Sequence, residues 1–399
     1  MAIAQTADGQ PTVLWSLSFR PFFLVAALWA AVALSLWIVL FTVGGTLPSR
    51  FDPLAWHIHA MLFGFVLAAI AGFMLTAIPT WTGRRPIQGP ALAGLVALWL
   101  LGRIVCLVSA FLPLWLAAAL DLAFPFALCA VVVREIVSAR NWRNLMMPLP
   151  IGVLGIADLL MYLEVADSGV PSGLGWRLAL AAIIVLISAV AGRIIPSFTR
   201  NWLVKRGGTN LPPAPGLIDR VALGVLHAGL IGWALFPALR PFGVLLLGAA
   251  ALNLWRLARW RGATTVAEPL LVILHLGYLW LVIGAALLGA TVLTDAIPEV
   301  AAIHAFTAGA IGTMSLAVMT RVSRGHTGRP LEADHVTTLI YLLVNAAALI
   351  RVATAFAIGS SMLLLGISAV LWVASFGLFA VWYGPWLAAP RVIQAADRR

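Results

Sequence analysis

The sequence predicts an all-α membrane protein with about twelve transmembrane helices, and two observations predict this fold class. First, 62% of the 399 residues are hydrophobic and only 10% are charged, with a mean hydropathy of +1.03, whereas about 25% of the residues of a soluble domain are charged. Second, the apolar stretches continue for roughly 18 residues or more without alternating, which is close to the length of one membrane-spanning helix. Because backbone groups in lipid must bond to one another, such stretches indicate helices rather than barrel strands.

Two of the predicted helices begin at recognisable signals. Asp52 precedes Pro53 at the start of the second helix, where an aspartate can cap free amides and proline suits the first turn. Pro298 has the same role at the start of the tenth helix. The predicted helices are 18–43, 53–80, 90–111, 113–134, 145–165, 174–196, 217–237, 241–260, 268–292, 299–321, 335–356 and 361–387.

The basic residues predict the orientation of these helices. The net charge is +11, but the arginines stand at helix ends rather than on one polar face, which argues against a nucleic-acid partner. If the N-terminus is cytoplasmic, 20 of the 25 lysine and arginine residues fall on the cytoplasmic side. Cytoplasmic loops are enriched in such residues. We therefore expect a polytopic inner-membrane protein with both termini in the cytoplasm.

The second and tenth helices share a pattern at an offset of 245 residues. His59 matches His304, and the tripeptide 82–84 recurs as 327–329. The pattern predicts three units of four helices within a single transmembrane domain, although glycine, alanine and arginine also recur by chance in membrane proteins. The domain is predicted as 1–399, with units 15–140, 141–262 and 263–390. This plan resembles subunit I of haem–copper oxidases, a likeness of fold that does not by itself give a function.

Histidines on the second and tenth helices are the first candidates for metal ligands. Polar side chains are expensive in a membrane and usually functional, and neutral imidazole binds haem iron and copper. His57 and His59 are two residues apart, roughly 200° around a helix, so they do not easily face one metal. A haem between His59 and His304 is the sharpest prediction, with His57 as the alternative to His59. The competing interpretation of each histidine is a hydrogen bond to a neighbouring helix.

The other four histidines carry weaker predictions. His275 stands three residues before Tyr278 on helix 9, which indicates a copper site, a second haem, or a His–Tyr hydrogen bond. His227 lies in the middle of helix 7 and is a lesser candidate. His326 falls in the basic loop after helix 10, and His335 at a helix start is expected to be solvated.

Charged residues add two open predictions. Arg321 and Arg329 could bind haem propionates, since arginine pairs well with carboxylates, but the excess of cytoplasmic arginine already explains them and is the favoured interpretation. Asp158 is an intramembrane carboxylate on helix 5, suited to proton relay, to capping or to an interhelical bond. The two cysteines, Cys106 and Cys129, lie inside apolar stretches and form neither a disulfide framework nor a CxxC motif.

Several motifs together resemble the NnrS family over about residues 16–390. The resemblance implies a bacterial inner-membrane protein that contains haem b and copper, binds nitric oxide or a related small gas, and serves nitrosative-stress defence or denitrification. It also implies an electron donor if nitric oxide is converted. The motifs are Phe19-Arg20-Pro21-Phe22-Phe23, Trp56-His57-Ile58-His59, Trp81-Thr82-Gly83-Arg84, Gly192-Arg193-Ile194-Ile195-Pro196, Leu274-His275-Leu276-Gly277-Tyr278, His304-Ala305 and Gly325-His326-Thr327-Gly328-Arg329-Pro330.

The resemblance also bears on individual residues. Five histidines stand at motif positions and are implied as metal ligands, namely His57, His59, His275, His304 and His326. Two positions depart from the family pattern. Ala60 stands where a glutamate is expected, and Tyr162 stands where a histidine is common. These departures remove a candidate proton donor and a candidate metal ligand.

Two other function classes remain open at this point. Twelve helices and an internal repeat also suit a membrane transporter or channel, although transporters favour broken helices and charges near the middle of the membrane. A metal-dependent sensor or assembly factor of the denitrification apparatus is the third interpretation. An optical spectrum and a metal analysis separate these classes, because a transporter is expected to be colourless and free of metal.

Overall fold

The computed structural model describes residues 11–356 and 361–392, and this part of the chain contains twelve long helices. Eleven of them are long and apolar enough to cross a membrane, and the twelfth, α5, has 17 residues. The fold class predicted from the sequence is therefore confirmed. The helices are α1 Phe19–Val43, α2 Pro53–Thr82, α3 Gly89–Val108, α4 Leu114–Ser138, α5 Leu149–Val165, α6 Leu174–Lys205, α7 Leu217–Leu235, α8 Arg240–Arg259, α9 Pro269–Leu293, α10 Glu299–His326, α11 His335–Thr354 and α12 Ser361–Ala388.

The predicted start of α2 is confirmed by its hydrogen bonds. The Asp52 carboxylate accepts from the backbone N–H groups of Leu54 and Ala55 at 2.8 and 2.9 Å, and Pro53 is the first residue of the helix. Two helix ends differ from the prediction by five residues or more. The helix predicted to end at Pro196 continues to Lys205, and the helix predicted to end at Arg321 continues to His326.

A proline inside a helix removes one backbone hydrogen bond without always ending the helix, which explains the continuation of α6. Beyond Pro196 the helix carries Trp202, whose ring lies 4.2 Å from the Arg206 guanidinium. Tryptophan and arginine are favoured where a helix leaves the membrane. The last turns of α6 therefore lie where a membrane surface is expected. His326 ends α10 instead of lying in a loop.

The chain divides into two compact units. The first lies within Met1–Ala182, Val318–Pro330 and Phe376–Arg399, and the second within Ile183–Ala317 and Leu331–Ser375. In the first unit α2 is the most enclosed helix, with 78% of its most apolar stretch buried against 33% in α1. Small residues of α2 permit this enclosure. A methyl group added at Gly72 would lie only 2.6 Å from the Phe23 ring.

Within α2, the segment Ala60–Val66 is a π-helix that follows His59 directly. The wider turn presents its carbonyl groups to neighbouring helices, where tryptophans bond them. Trp29 of α1 donates its indole N–H to the Ala60 carbonyl at 2.9 Å, and Trp99 of α3 donates to the Gly64 carbonyl at 2.9 Å. Single π-helical turns are often found at functional sites.

In the second unit α10 has the same irregularity. Its segment Ala305–Gly312 is also a π-helix, directly follows His304, and begins 245 residues after the one in α2. Gly309 packs against the indole of Trp280, as Gly64 packs against Trp29 in the first unit. The two helices thus share an unusual backbone at the offset found in the sequence, while the three-unit repeat itself stays a prediction.

Candidate metal centre

His59 is the last α-helical residue of α2 before its π-helical segment, and its side chain is fully buried. Aromatic rings surround the imidazole. The ring of Phe51, in the loop before α2, stacks on it with 5.0 Å between centroids, and Phe63 lies 5.1 Å away. Tyr162 of α5 presents its edge at 6.1 Å. The imidazole therefore lies in a closed, mostly apolar pocket of the first unit.

Both ring nitrogens of His59 contact polar groups. Nε2 lies 2.9 Å from Oδ1 of Asp158 and 3.1 Å from Oδ2 of Asp121. Ionised carboxylates only accept hydrogen bonds, so Nε2 carries the proton in this arrangement. Nδ1 lies 3.3 Å from the Cys106 sulfur. Among the interpretations of Asp158 that the sequence left open, an interhelical bond is observed, and it joins Asp158 of α5 to His59 of α2.

A second set of contacts holds Asp121. Arg103 donates from Nη2 to Oδ1 of Asp121 at 2.6 Å, and the Tyr162 hydroxyl donates to Oδ2 at 2.9 Å. Gly102 makes room for the carboxylate, because a methyl group at that position would lie 2.5 Å from Oδ1. Asp121 and Asp158 are fully buried, and Arg103 is 1% exposed. We call the six residues His59, Arg103, Cys106, Asp121, Asp158 and Tyr162 the buried cluster.

Helical periodicity explains how four helices build the buried cluster. Arg103 and Cys106 are three residues apart on α3, and Asp158 and Tyr162 are four apart on α5, so that each pair lies on one face of its helix. His59 comes from α2 and Asp121 from α4. Each of the four helices thus contributes polar side chains to one interior point.

The donor atoms of the buried cluster have the chemistry of a metal site. One ligand atom each from His59, Cys106 and Asp121 lies within 4.8 Å of the others. Imidazole nitrogen, thiolate sulfur and carboxylate oxygen are all ligands of zinc and copper. Among the described residues, none of the other predicted histidines joins such a group of three.

The other two predicted ligands of the first unit lie elsewhere. His57 is half-buried, and its ring stacks on Trp37 of α1 with 4.9 Å between centroids. His57 and His59 therefore contact different partners, as their angular separation predicts. His326, at the end of α10, is exposed and lies 5.5 Å from the ring of Phe19.

In the second unit, His275 and His304 share one hydrogen-bonding arrangement. Nδ1 of His275 donates to the Leu271 carbonyl at 3.0 Å, and Nδ1 of His304 donates to the Val300 carbonyl at 2.8 Å. Each bond fixes the neutral tautomer in which Nε2 carries a lone pair. His275 is buried, and the Gly262 backbone lies so close that an added methyl group would be 3.2 Å from Nε2.

Tyr278 and His227 of the second unit bond to other polar side chains. The Tyr278 hydroxyl donates to Asn253 and accepts from Arg256, both at 2.6 Å, so the predicted His–Tyr bond is not the one formed. Nε2 of His227 lies 2.9 Å from the Ser188 hydroxyl. A hydrogen bond between helices was the alternative to metal binding for this histidine. His335 is exposed at the start of α11, as predicted.

The arginines predicted to bind haem propionates lie near the end of α10. Arg321 is half-buried on the helix, and the Arg329 guanidinium lies 4.3 Å from the ring of Trp386 in the same unit. These contacts are compatible with the predicted role but do not test it. Arg20 has a structural role instead, since its Nη1 donates to the carbonyls of Leu387 and Ala389 at the end of α12.

A comparison with protein families covers almost the whole chain. Residues 13–391 match the family model described as NnrS protein. The chain belongs to the NnrS family. No curated protein matched the chain. This NnrS protein is therefore a membrane protein related to nitric oxide, as the resemblance of its motifs predicted.

The family motifs did not reveal three residues of the buried cluster in this NnrS protein. Arg103, Cys106 and Asp121 stand as single polar residues in apolar helices. The available signal was their position, since an ionisable residue inside a membrane is a functional candidate by default. Tyr162, where the family commonly has histidine, bonds Asp121 through its hydroxyl, so that a polar group is retained at this position.

Proposed function

We propose that this NnrS protein binds nitric oxide at a haem inside the membrane and uses copper as a second metal, in nitrosative-stress defence or denitrification. Family membership supports the link to nitric oxide. The observation that carries the haem assignment is the orientation of His304, whose Nδ1–H is bonded to the Val300 carbonyl. Iron-binding histidines are held in this way by backbone carbonyls or carboxylates.

His304 fits a haem ligand better than the other histidines. It is half-buried next to the π-helical segment, and its tautomer leaves a lone pair on Nε2. His275 has the same tautomer, but the Gly262 backbone lies against its ring. When bound, haem would supply an iron atom to which nitric oxide coordinates. The chain would hold that iron through Nε2 of His304.

His59 does not fit a haem ligand in the observed arrangement. Both of its nitrogens are bonded within the buried cluster, and aromatic rings cover the imidazole. Binding iron would require one of these contacts to be exchanged. The pairing of His59 with His304 around one haem stays a prediction, and His57 remains the alternative.

Copper has a fitting donor set in the buried cluster. Thiolate and imidazole are ligands that copper favours, and His59 and Cys106 supply both. The aromatic rings around His59 exclude water, and the Arg103 bond orients the Asp121 carboxylate. These residues would fix the position of the ion, while redox chemistry would be a property of the ion itself.

Optical spectroscopy of the purified protein tests the haem assignment. We expect a Soret band that shifts when nitric oxide is added to the reduced protein, and we expect His304→Ala to lose this band. His335→Ala is the matched control, because His335 is exposed at a helix start and should leave the spectrum unchanged. A colourless preparation, or an unaltered Soret band in His304→Ala, would contradict the assignment.

Measurement of nitric oxide in solution distinguishes binding from conversion. With a reductant present, an oxidoreductase removes many equivalents of nitric oxide per chain, whereas a binding protein removes about one per haem. Either result supports a role in handling nitric oxide. No removal and no spectral change would contradict it and would favour the transporter or channel.

A further inference from the structure

We propose that the buried cluster is a four-ligand site for a divalent transition-metal ion, with His59, Cys106, Asp121 and Asp158 as ligands and Arg103 as the compensating charge. The inference rests on the proposed metal chemistry but is independent of haem. It adds two ligands, Asp121 and Asp158, and one charged partner that the family motifs do not contain. It also specifies the charge of the ion.

One oxygen of the Asp158 carboxylate has no hydrogen-bond partner among the described residues. Asp158 is fully buried, and its Oδ1 bonds His59 while its Oδ2 makes no hydrogen bond with any described residue. A buried, ionised carboxylate with an unbonded oxygen is strongly disfavoured. An ion between Asp158 and Asp121 would bond this oxygen or its neighbour. Asp158 is therefore the fourth ligand of the ion.

The net charge of the buried cluster indicates a divalent ion. With Cys106 as the thiolate that metals bind, the cluster contains three anions, namely Cys106, Asp121 and Asp158. Arg103 contributes one positive charge, so the net charge is −2 in a site enclosed by apolar helices. Unbalanced charge is costly in such surroundings. A divalent ion neutralises the site, whereas a monovalent ion such as Cu⁺ leaves it at −1.

The ligand atoms of the buried cluster indicate a transition-metal ion. One nitrogen, one sulfur and two oxygens exclude Mg²⁺ and Ca²⁺, which take oxygen ligands. The set suits Zn²⁺ and Cu²⁺, of which Cu²⁺ binds more tightly in the general order of divalent metals. Two ligand atoms of one tetrahedral ion are about 3.6 Å apart, and the three donors lie within 4.8 Å. The side chains of His59, Cys106 and Asp121 would therefore close by about 1 Å, and Asp158, which lies outside this group of three, would move farther to complete the site.

The ion would replace hydrogen bonds that the cluster now makes. Metal binding would release the Nε2 proton of His59 to solvent, and the Cys106 thiol would pass its proton to Nδ1, which it already contacts, so that Nε2 and the thiolate can bind the ion. Arg103 keeps its bond to Oδ1 of Asp121, and Oδ2, which accepts from the Tyr162 hydroxyl, would bind the metal through its other lone pair. Carboxylates that bind metals are themselves commonly held in this way.

Metal content of the purified full chain tests the proposal. We expect about one Cu²⁺ or Zn²⁺ per chain after expression with either metal, and at least a tenfold loss of affinity in Cys106→Ser and in Asp158→Asn. Cys129→Ser and Asp167→Asn are the matched controls. Cys129 lies half-buried on α4, and Asp167 is exposed in the loop after α5. Full metal content in both cluster variants would overturn the proposal.

A second measurement covers the case in which the cluster variants fail to fold. Chelator-treated wild-type protein is titrated with Co²⁺, and binding by Cys106 predicts a thiolate-to-cobalt charge-transfer band that Cys129→Ser retains. Absence of this band in the wild type would overturn the proposal. The Soret band is recorded in the same samples. Loss of the ion with the Soret band retained separates this site from haem, and an ion without a Soret band contradicts only the haem assignment.

Discussion

Two of the ion pairs of the first unit differ in how far they are buried. Arg103 and Asp121 are both buried in the cluster, with 2.6 Å between Nη2 and Oδ1. Arg134 pairs with Glu135 at 2.7 Å, but its side chain is 61% exposed, and Glu135 is also bonded by Arg84. Removing one partner of a buried pair leaves an uncompensated charge, whereas an exposed pair contributes little.

We therefore expect Arg103→Met to destabilise the protein by about 3–5 kcal/mol and Arg134→Met by less than about 1 kcal/mol. The temperature at which half of the detergent-solubilised protein stays monodisperse measures the difference. Comparable midpoints for the two variants would show that Asp121 does not depend on Arg103.

Sequence reasoning identified His59 but not its partners, for a physical reason. His59 and Asp158 are 99 residues apart, and His59 and Cys106 are 47 apart. Such contacts depend on which helices pack together and how each is rotated, and local patterns contain neither. Asp158 was recognised because a carboxylate in an apolar helix is conspicuous, but its partner could be any polar group at the same depth.

The sequence predicts where helices begin, but not where their backbone departs from α-helical geometry. The Asp52 cap and Pro53 fix the start of α2 by local chemistry. The π-helical segment Ala60–Val66 depends instead on tertiary contacts, because Trp29 and Trp99 bond its carbonyls from other helices. No local signal in a stretch rich in alanine, glycine and phenylalanine distinguishes this backbone from an ordinary helix.

Close packing at the π-helix of α2 leads to a prediction. A methyl group added at Gly64 would overlap the Trp29 indole, whereas one added at Gly94 of α3 would meet nothing within 4 Å. We expect Gly64→Ala to cost about 1–3 kcal/mol through overpacking. Gly94→Ala should be neutral or stabilising by up to about 1 kcal/mol, since alanine favours a helix. Equal thermal midpoints for the two variants would contradict the close contact.

The end of α12 provides a second prediction at this scale. Arg20 is 3% exposed, and its Nη1 donates at 2.7 and 2.8 Å to the carbonyls of Leu387 and Ala389. The last carbonyls of a helix have no partner within the helix and favour a cation. Arg20→Gln should therefore lower stability by about 1.5–3 kcal/mol. Arg85→Gln is the control because Arg85 is exposed before α3, and a midpoint of Arg20→Gln equal to the control would refute the capping role.

At the scale of the whole molecule, apolar length and composition predicted the fold almost completely. A membrane-spanning helix satisfies its own backbone, so each span can be recognised without knowing its neighbours. The division into two compact units was not predicted, because it depends on contacts such as those of the ends of α10 and α12 within the first unit. Hydropathy contains no information on such contacts.

The membrane topology of the chain depends on whether α5 crosses the bilayer. This helix has 17 residues and is about 26 Å long, slightly less than the roughly 30 Å of a bilayer core. If α5 spans the membrane, the twelve helices of the described chain place both ends on one side, and the arginine distribution makes that side cytoplasmic. If α5 does not span, the two ends lie on opposite sides.

Reporter fusions decide between these topologies. Green fluorescent protein should fluoresce at either end of the full chain, and alkaline phosphatase should be inactive there, because it folds only outside the cytoplasm. Alkaline phosphatase fused after residue 354, at the end of α11, should be active, as should a fusion at residue 168 after α5. Phosphatase activity at the C-terminus of the full chain, together with none at residue 168, would show that α5 does not cross.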